Sequence, residues 1–149
     1  MAMDASKKEV VAVLEKVISI VNKMGVTIEE FRPGNVRVRL PKEPNVNHVG
    51  MVYAGSLFSL GDYTGGVLFI SCFDLKKYYP IVKEASIAFK RPATTDVTIE
   101  ASLTPAEIED LKEKADNAGK ADLIKEFELK DADGSVCCVF KGNFQLRKV

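Results

Sequence analysis

The stretch that decides the fold reads Ala54-Gly55-Ser56-Leu57-Phe58-Ser59-Leu60-Gly61-Asp62-Tyr63-Thr64-Gly65-Gly66-Val67-Leu68-Phe69-Ile70-Ser71-Cys72. It is apolar nearly all round, and its length predicts one helix over 54–72. Gly55, Gly61, Gly65 and Gly66 lie within it, each lowering helix propensity by roughly 1 kcal/mol relative to alanine. Close packing of backbone against a sheet or a partner helix is the expected reason for all of them. Asp62 sits mid-span, where a charge is costly in lipid. The stretch therefore predicts a helix buried in a soluble domain rather than a membrane span.

Working outward, the flanking segments alternate. Val26 to Phe31 predicts a strand, and Arg32-Pro33-Gly34-Asn35 has the Pro-Gly pattern of a type II turn. Val36-Arg37-Val38-Arg39-Leu40 alternates strictly, so one face is buried and one is wet. Beyond the helix, strands are expected over Ile81 to Lys90, around Val97 to Leu103, around Leu123 to Leu129, and from Val136 to Leu146, with Asp133-Gly134 as a hairpin turn. The last strand's alternation places Cys138, Phe140 and Phe144 inward and Cys137 on the opposite face. Thr104-Pro105-Ala106-Glu107 is a capping box that opens a helical insertion over 104–119. Val10, Leu14, Val17, Val21 and Met24 recur at helical spacing, predicting one N-terminal helix over 6–24 within residues 1–25. The expected fold is α+β, one antiparallel sheet curled around the long central helix, in a single domain spanning 1–149.

Composition excludes several functions. The 149 residues carry 21 basic and 21 acidic side chains, which argues against a nucleic-acid or polybasic membrane partner. A single histidine, His48, and three cysteines without a CxxC spacing give neither a metal ligand set nor a disulfide framework. No metal or other cofactor is expected. The charged N-terminal segment lacks the apolar core of a signal peptide, and a reducing, cytoplasmic setting is the expectation.

The chemistry gathers before and within the helix. A buried helix N-terminus offers unpaired N–H groups and a positive dipole end. Ala54 and Gly55 are small enough to let a ligand carbonyl approach those groups, the requirement for an oxyanion hole. Asp62 is a carboxylate in apolar surroundings, which is disfavoured unless it is solvated, paired with Thr64 or a facing strand, or functional. Asn47 carries amide donors that suit either a carbonyl ligand or a loop turn. Lys90 and Arg91 end a strand beside Pro92, either as a solvated strand end or as partners for phosphate.

The run from Asn47-His48-Val49-Gly50 through Tyr53-Ala54-Gly55 to Asp62, followed by Ile87-Ala88-Phe89-Lys90-Arg91-Pro92-Ala93, resembles the signature of hotdog-fold acyl-CoA thioesterases of the phenylacetate-degradation type. That signature has an Asn, a short loop, His-Gly-Gly, and an acidic residue seven positions past the second glycine. Asp62 lies seven past Gly55. The Tyr-Ala-Gly variant and the insertion near Thr104 look closer to the thioesterase-like domains fused behind some bacterial acetyltransferases. The resemblance implies Asp62 as general base or nucleophile, the amides of Ala54 and Gly55 as oxyanion donors, and Asn47 in support. Tyr53 stands where the family often has His, and can donate a hydrogen bond or line the acyl pocket. Lys90 and Arg91 then suit coenzyme A phosphates, coenzyme A entering only as part of the substrate. Val82 occupies a position where some relatives carry a polar residue that holds the water.

Eight residues from Ala54 to Asp62 span about 12 Å of helix. One thioester carbon cannot lie about 3 Å from both. Joint action therefore requires Asp62 from a second subunit, which implies a homodimer, or a dimer of dimers, with shared sites. The expected function is hydrolysis of acyl-CoA or acyl-carrier-protein thioesters. The alternatives are an enoyl-thioester hydratase using His48 with Asp62, and a non-catalytic acyl-thioester binding module.

Overall fold

The computed structural model describes residues 3–149, so the first two residues of the expected domain lie outside the described ones. Two short helices, α1 (Ala5–Val17) and α2 (Ser19–Lys23), precede the hairpin β1 (Thr27–Arg32) and β2 (Asn35–Leu40). The long helix α3 (Ala54–Cys72) follows, then β3 (Tyr78–Phe89), β4 (Val97–Ser102), α4 (Pro105–Ala118), β5 (Lys120–Lys130) and β6 (Val136–Lys148). The strands form one antiparallel sheet in the order β1-β2-β4-β5-β6-β3. It curls around α3, the α+β hotdog architecture that the resemblance implies.

The core lies between the helix and the concave face of the sheet. Leu57, Leu60, Leu68 and Phe69 of α3 meet Val38, Ile99, Phe127, Phe140 and Phe144 from the strands, all buried. The glycines allow this closeness. A Cβ on Gly61 would fall 2.3 Å from the Phe140 ring, and one on Gly65 would fall 2.1 Å from Phe144. The rings sit directly on helix backbone, and each buried ring contributes roughly 1.5–3 kcal/mol. At the far end, Ser71 Oγ of α3 accepts the Gly34 N–H of the β1–β2 turn at 3.1 Å.

The sheet is uneven. The β3–β6 and β5–β6 ladders are long, whereas β4 and β5 meet in register only at Thr98 and Lys130. Helix α4 follows β4 directly, opened by the Thr104–Glu107 capping box and closed by Gly119 in the left-handed conformation. At the opposite edge, among the described residues, β3 pairs only with β6 and leaves its other side free over 12 residues. Ile81, Val82 and Phe89 are exposed there. A long unpaired edge of this kind is a ready template for another strand.

Three local readings change. The N-terminal helix breaks at Ile18, whose backbone is extended. With the helix interrupted, the Leu14 carbonyl loses its partner four residues on, and the buried Tyr63 hydroxyl donates to it at 2.8 Å. Cys137 does not face outward. A bulge opposite Leu129 and Lys130 leaves it out of the ladder, and both Cys137 and Cys138 are fully buried. Gly66 has no close neighbour, so packing does not account for it.

Among the described residues, no helix is long and apolar enough to cross a membrane.

Candidate active site

The loop before α3 is fixed by one buried side chain. Asn45 Nδ2 donates to the carbonyls of Met24 and Pro41 at 2.8 and 2.9 Å, and its Oδ1 accepts from Ser56 Oγ at 3.0 Å. Its own carbonyl takes the Tyr53 N–H at 2.8 Å. Asn45 therefore ties the end of β2, the end of α2 and the first turn of α3 together. Sequence reading missed it, because its partners are remote and no spacing marks them.

Helix α3 starts at this knot without a side-chain cap. The N–H groups of Ser56 and Leu57 turn back to the Tyr53 carbonyl. Those of Ala54 and Gly55 find no acceptor among the described residues. The Tyr53 ring folds over Gly55, where a Cβ would lie 2.5 Å from it, so only glycine seats the ring there.

Ala54, Asn47, Lys90 and Arg91 line one groove of about 370 Å³, together with Leu57, Phe89 and Pro92. The Val52 N–H, bonded to the Ala93 carbonyl at 2.9 Å, holds the two loops side by side. Asn47 proves to be a turn residue as well as a groove residue. Its Oδ1 accepts the Val49 and Met51 N–H groups at 3.0 Å, while its Nδ2 donates to nothing among the described residues. Lys90 and Arg91 are exposed and form no ion pair among the described residues. His48 is exposed on the loop and lines neither this groove nor the next.

Asp62 opens elsewhere. It lines a second groove of about 490 Å³ with Leu14, Val17 and Ile18 of the N-terminal arm, Gly66 and Ile70 of its own helix, and Pro80, Ile81 and Val82 of β3. Among the described residues, the groove holds no other charged side chain. Thr64 does not pair with Asp62; its hydroxyl bonds the Leu60 carbonyl at 2.7 Å. Among the described residues Asp62 has no hydrogen-bond or ion-pair partner. Burial pushes its carboxyl above the ordinary carboxylate range. An unpartnered carboxylate in an apolar groove is suited to general-base work.

The start of α3 and Asp62 therefore open into two separate grooves of one chain. Ala54 shares one groove with Lys90 and Arg91, and Asp62 stands in the other. Both grooves reach the free edge of β3, through Phe89 in one and through Pro80 to Val82 in the other. Among the described residues, no cluster of three His, Cys, Asp or Glu side chains is placed to hold a metal.

The family model described as "Domain of unknown function (DUF4442)" matches residues 7–147. A Pseudomonas aeruginosa structure, named as a protein of unknown function PA5026 and probable thioesterase, is 38% identical. That match covers 100% of this chain and 99% of the other, with a TM-score of 0.92. The thioesterase HI1161 of Haemophilus influenzae is 13% identical, over 99% of this chain and 93% of its own, with a TM-score of 0.74. A mutant of thioesterase PA1618 from Pseudomonas aeruginosa is 16% identical, over 100% and 97%, with a TM-score of 0.73. The last two show the shared hotdog fold. Among curated proteins none matches this sequence.

Proposed function

The chain belongs to the DUF4442 family, and we propose that this thioesterase-like member hydrolyses acyl thioesters of coenzyme A or of an acyl carrier protein. The observation that carries the reading is the pairing on one helix of an unpartnered, desolvated Asp62 with two unpaired N–H groups at Ala54 and Gly55. Within thioesterase-like proteins, the order Asn47, Gly55, Asp62 and Arg91-Pro92-Ala93 favours the phenylacetate-degradation pattern, and Tyr53-Ala54 favours the branch fused to acetyltransferases.

The working unit is a homodimer in which β3 edges meet and the α3 helices run antiparallel, bringing Asp62 of one subunit to the helix N-terminus of the other. The thioester carbonyl oxygen accepts hydrogen bonds from the N–H groups of Ala54 and Gly55. Asp62 takes a proton from water as the water oxygen bonds to the carbonyl carbon. Negative charge on the former carbonyl oxygen is stabilised by those two donors, each worth about 3–4 kcal/mol in such sites. Collapse re-forms the carbonyl and breaks the carbon–sulfur bond, and the thiolate leaves with the proton that Asp62 held. Lys90 and Arg91 meet the phosphates of coenzyme A, with Asn47 Nδ2 beside the carbonyl and Tyr53 at the acyl entrance. The cytoplasm, where such thioesters are made and used, is the proposed setting.

The test is thiol release from a panel of acyl-CoA substrates, with Asp62→Asn beside the native protein. Release by the native protein and loss in the variant support the reading. No thiol release from any substrate would overturn it. Loss of an enoyl chromophore without free thiol would replace it with hydration.

A further inference from the structure

Gly66 is the one glycine of α3 whose place the packing leaves unexplained. A Cβ on Gly55, Gly61 or Gly65 would collide with Tyr53, Phe140 or Phe144, whereas a Cβ on Gly66 meets nothing within 4 Å. Its backbone is helical and does not need glycine's conformational freedom. Glycine is nearly the poorest residue for a helix interior, so this position weakens α3 with no packing in return. Gly66 stands one turn beyond Asp62, on the same side, and forms part of the floor of the Asp62 groove.

The rest of that groove is apolar. The N-terminal arm supplies Leu14, Val17 and Ile18 on one side, and β3 supplies Pro80, Ile81 and Val82 on the other. Among the described residues its other side-chain polar group is the Tyr63 hydroxyl, which donates to the Leu14 carbonyl. That bond pins the end of α1 beside Asp62, where Val17 and Ile18 stay exposed rather than joining the core. Among the described residues, the groove offers no free side-chain donor to a polar acyl group.

Resting on the proposed thioesterase reading, we infer that the groove takes an aliphatic acyl chain, with its thioester end at Asp62 and its methylenes passing over Gly66 beneath Val17 and Ile18. The open position at Gly66 sets the length of chain that fits. Gly66 is thus a specificity-determining residue, and aliphatic rather than polar or hydroxylated acyl groups are the substrate class.

The test uses S-alkyl-CoA thioethers from ethyl to hexadecyl, which cannot be hydrolysed, with binding measured by calorimetry. The native protein and the Gly66→Ala, Gly66→Val and Gly66→Leu variants are compared, with subunit mass followed by light scattering. The native protein is expected to bind a long alkyl group about tenfold or more tighter than ethyl. Each larger residue at position 66 should shift the optimum to shorter chains while ethyl binding and subunit mass hold. A Leu variant that fails to fold leaves the Ala and Val variants to decide. A native protein indifferent to chain length, or a length profile unmoved by all three variants, would overturn the inference. Dissociation of the variants would also overturn it, since the space would then belong to a second copy. Native binding of long thioethers without thiol release from the matching acyl-CoA would sink the hydrolase reading and leave the chain inference standing.

Discussion

Ala54 and Asp62 stand two turns apart on one helix, yet they open into different grooves. The separation, about 12 Å along the axis, is too long for one reacting carbon to touch both. Everything proposed for the chemistry follows from bringing the two residues together across a pair of subunits.

Complementation tests that pairing directly. Asp62→Asn and Ala54→Pro should each lose about 100-fold or more in rate alone. Mixed and re-associated in equal amounts, half of the dimers should be hybrids, and each hybrid should keep one intact site. Thiol release should then recover to about a quarter of the native rate. A site built within one chain would give no recovery.

The Ala54→Pro substitution is itself informative. Position 54 is the first helical residue, where proline is well tolerated, and the extended backbone of Tyr53 suits a following proline. The variant should keep its thermal stability while losing one oxyanion donor, with kcat falling about 100-fold to 1000-fold. An unchanged kcat would remove the Ala54 N–H from the mechanism.

Asp62 should set the pH dependence of both rate and stability. Its pKa lies above that of an ordinary aspartate because burial disfavours the charged form. Thiol release should rise with pH through this raised value, so the acid limb falls above the usual carboxylate range. Asp62→Asn should cost about 100-fold or more in rate. For stability, a raised folded pKa favours the native state at low pH, and that contribution is lost as pH rises through it. Asp62→Asn should therefore melt at higher temperature than the native protein at neutral pH, with the gap closing toward pH 3.8. A gap that widens on acidification would contradict this assignment.

The adjacent glycines should respond oppositely to alanine. Gly65→Ala drives a Cβ into the buried Phe144 ring and should destabilise by about 1–3 kcal/mol. Gly66→Ala meets open space and should stabilise by up to about 1 kcal/mol. Denaturant midpoints for the two variants check the contrast.

The sequence pattern carried much of this. The apolar run broken by Asp62 marks α3 with the bounds that the structure shows, and the alternating segments mark the strands around it. Ala54, Gly55 and Asp62 lie on α3, Asn47 and Tyr53 precede it, and Lys90 and Arg91 follow β3. What was not legible depends on partners distant in the chain. Val17 to Val21 continues an apolar helical spacing, and the break at Ile18 goes with the tertiary bond from Tyr63 to Leu14. Gly65 and Gly66 are indistinguishable in sequence, and only the position of Phe144 separates them. A bulge reverses the face of Cys137, which strict alternation cannot foresee. Asn45 bridges elements up to 21 residues away.

The single register pair between Thr98 and Lys130 divides the sheet into two half-sheets with little direct hydrogen bonding between them. Helix α3 crosses that seam. It holds Phe140 and Phe144 of one half against Gly61 and Gly65, and Ser71 takes the Gly34 N–H of the other. The element that carries the proposed chemistry is therefore also the crossbar of the frame. Slow hydrogen exchange in both half-sheets should fall together when α3 is weakened, because α3 packs on strands of both halves whereas α4 packs on β5 and β6.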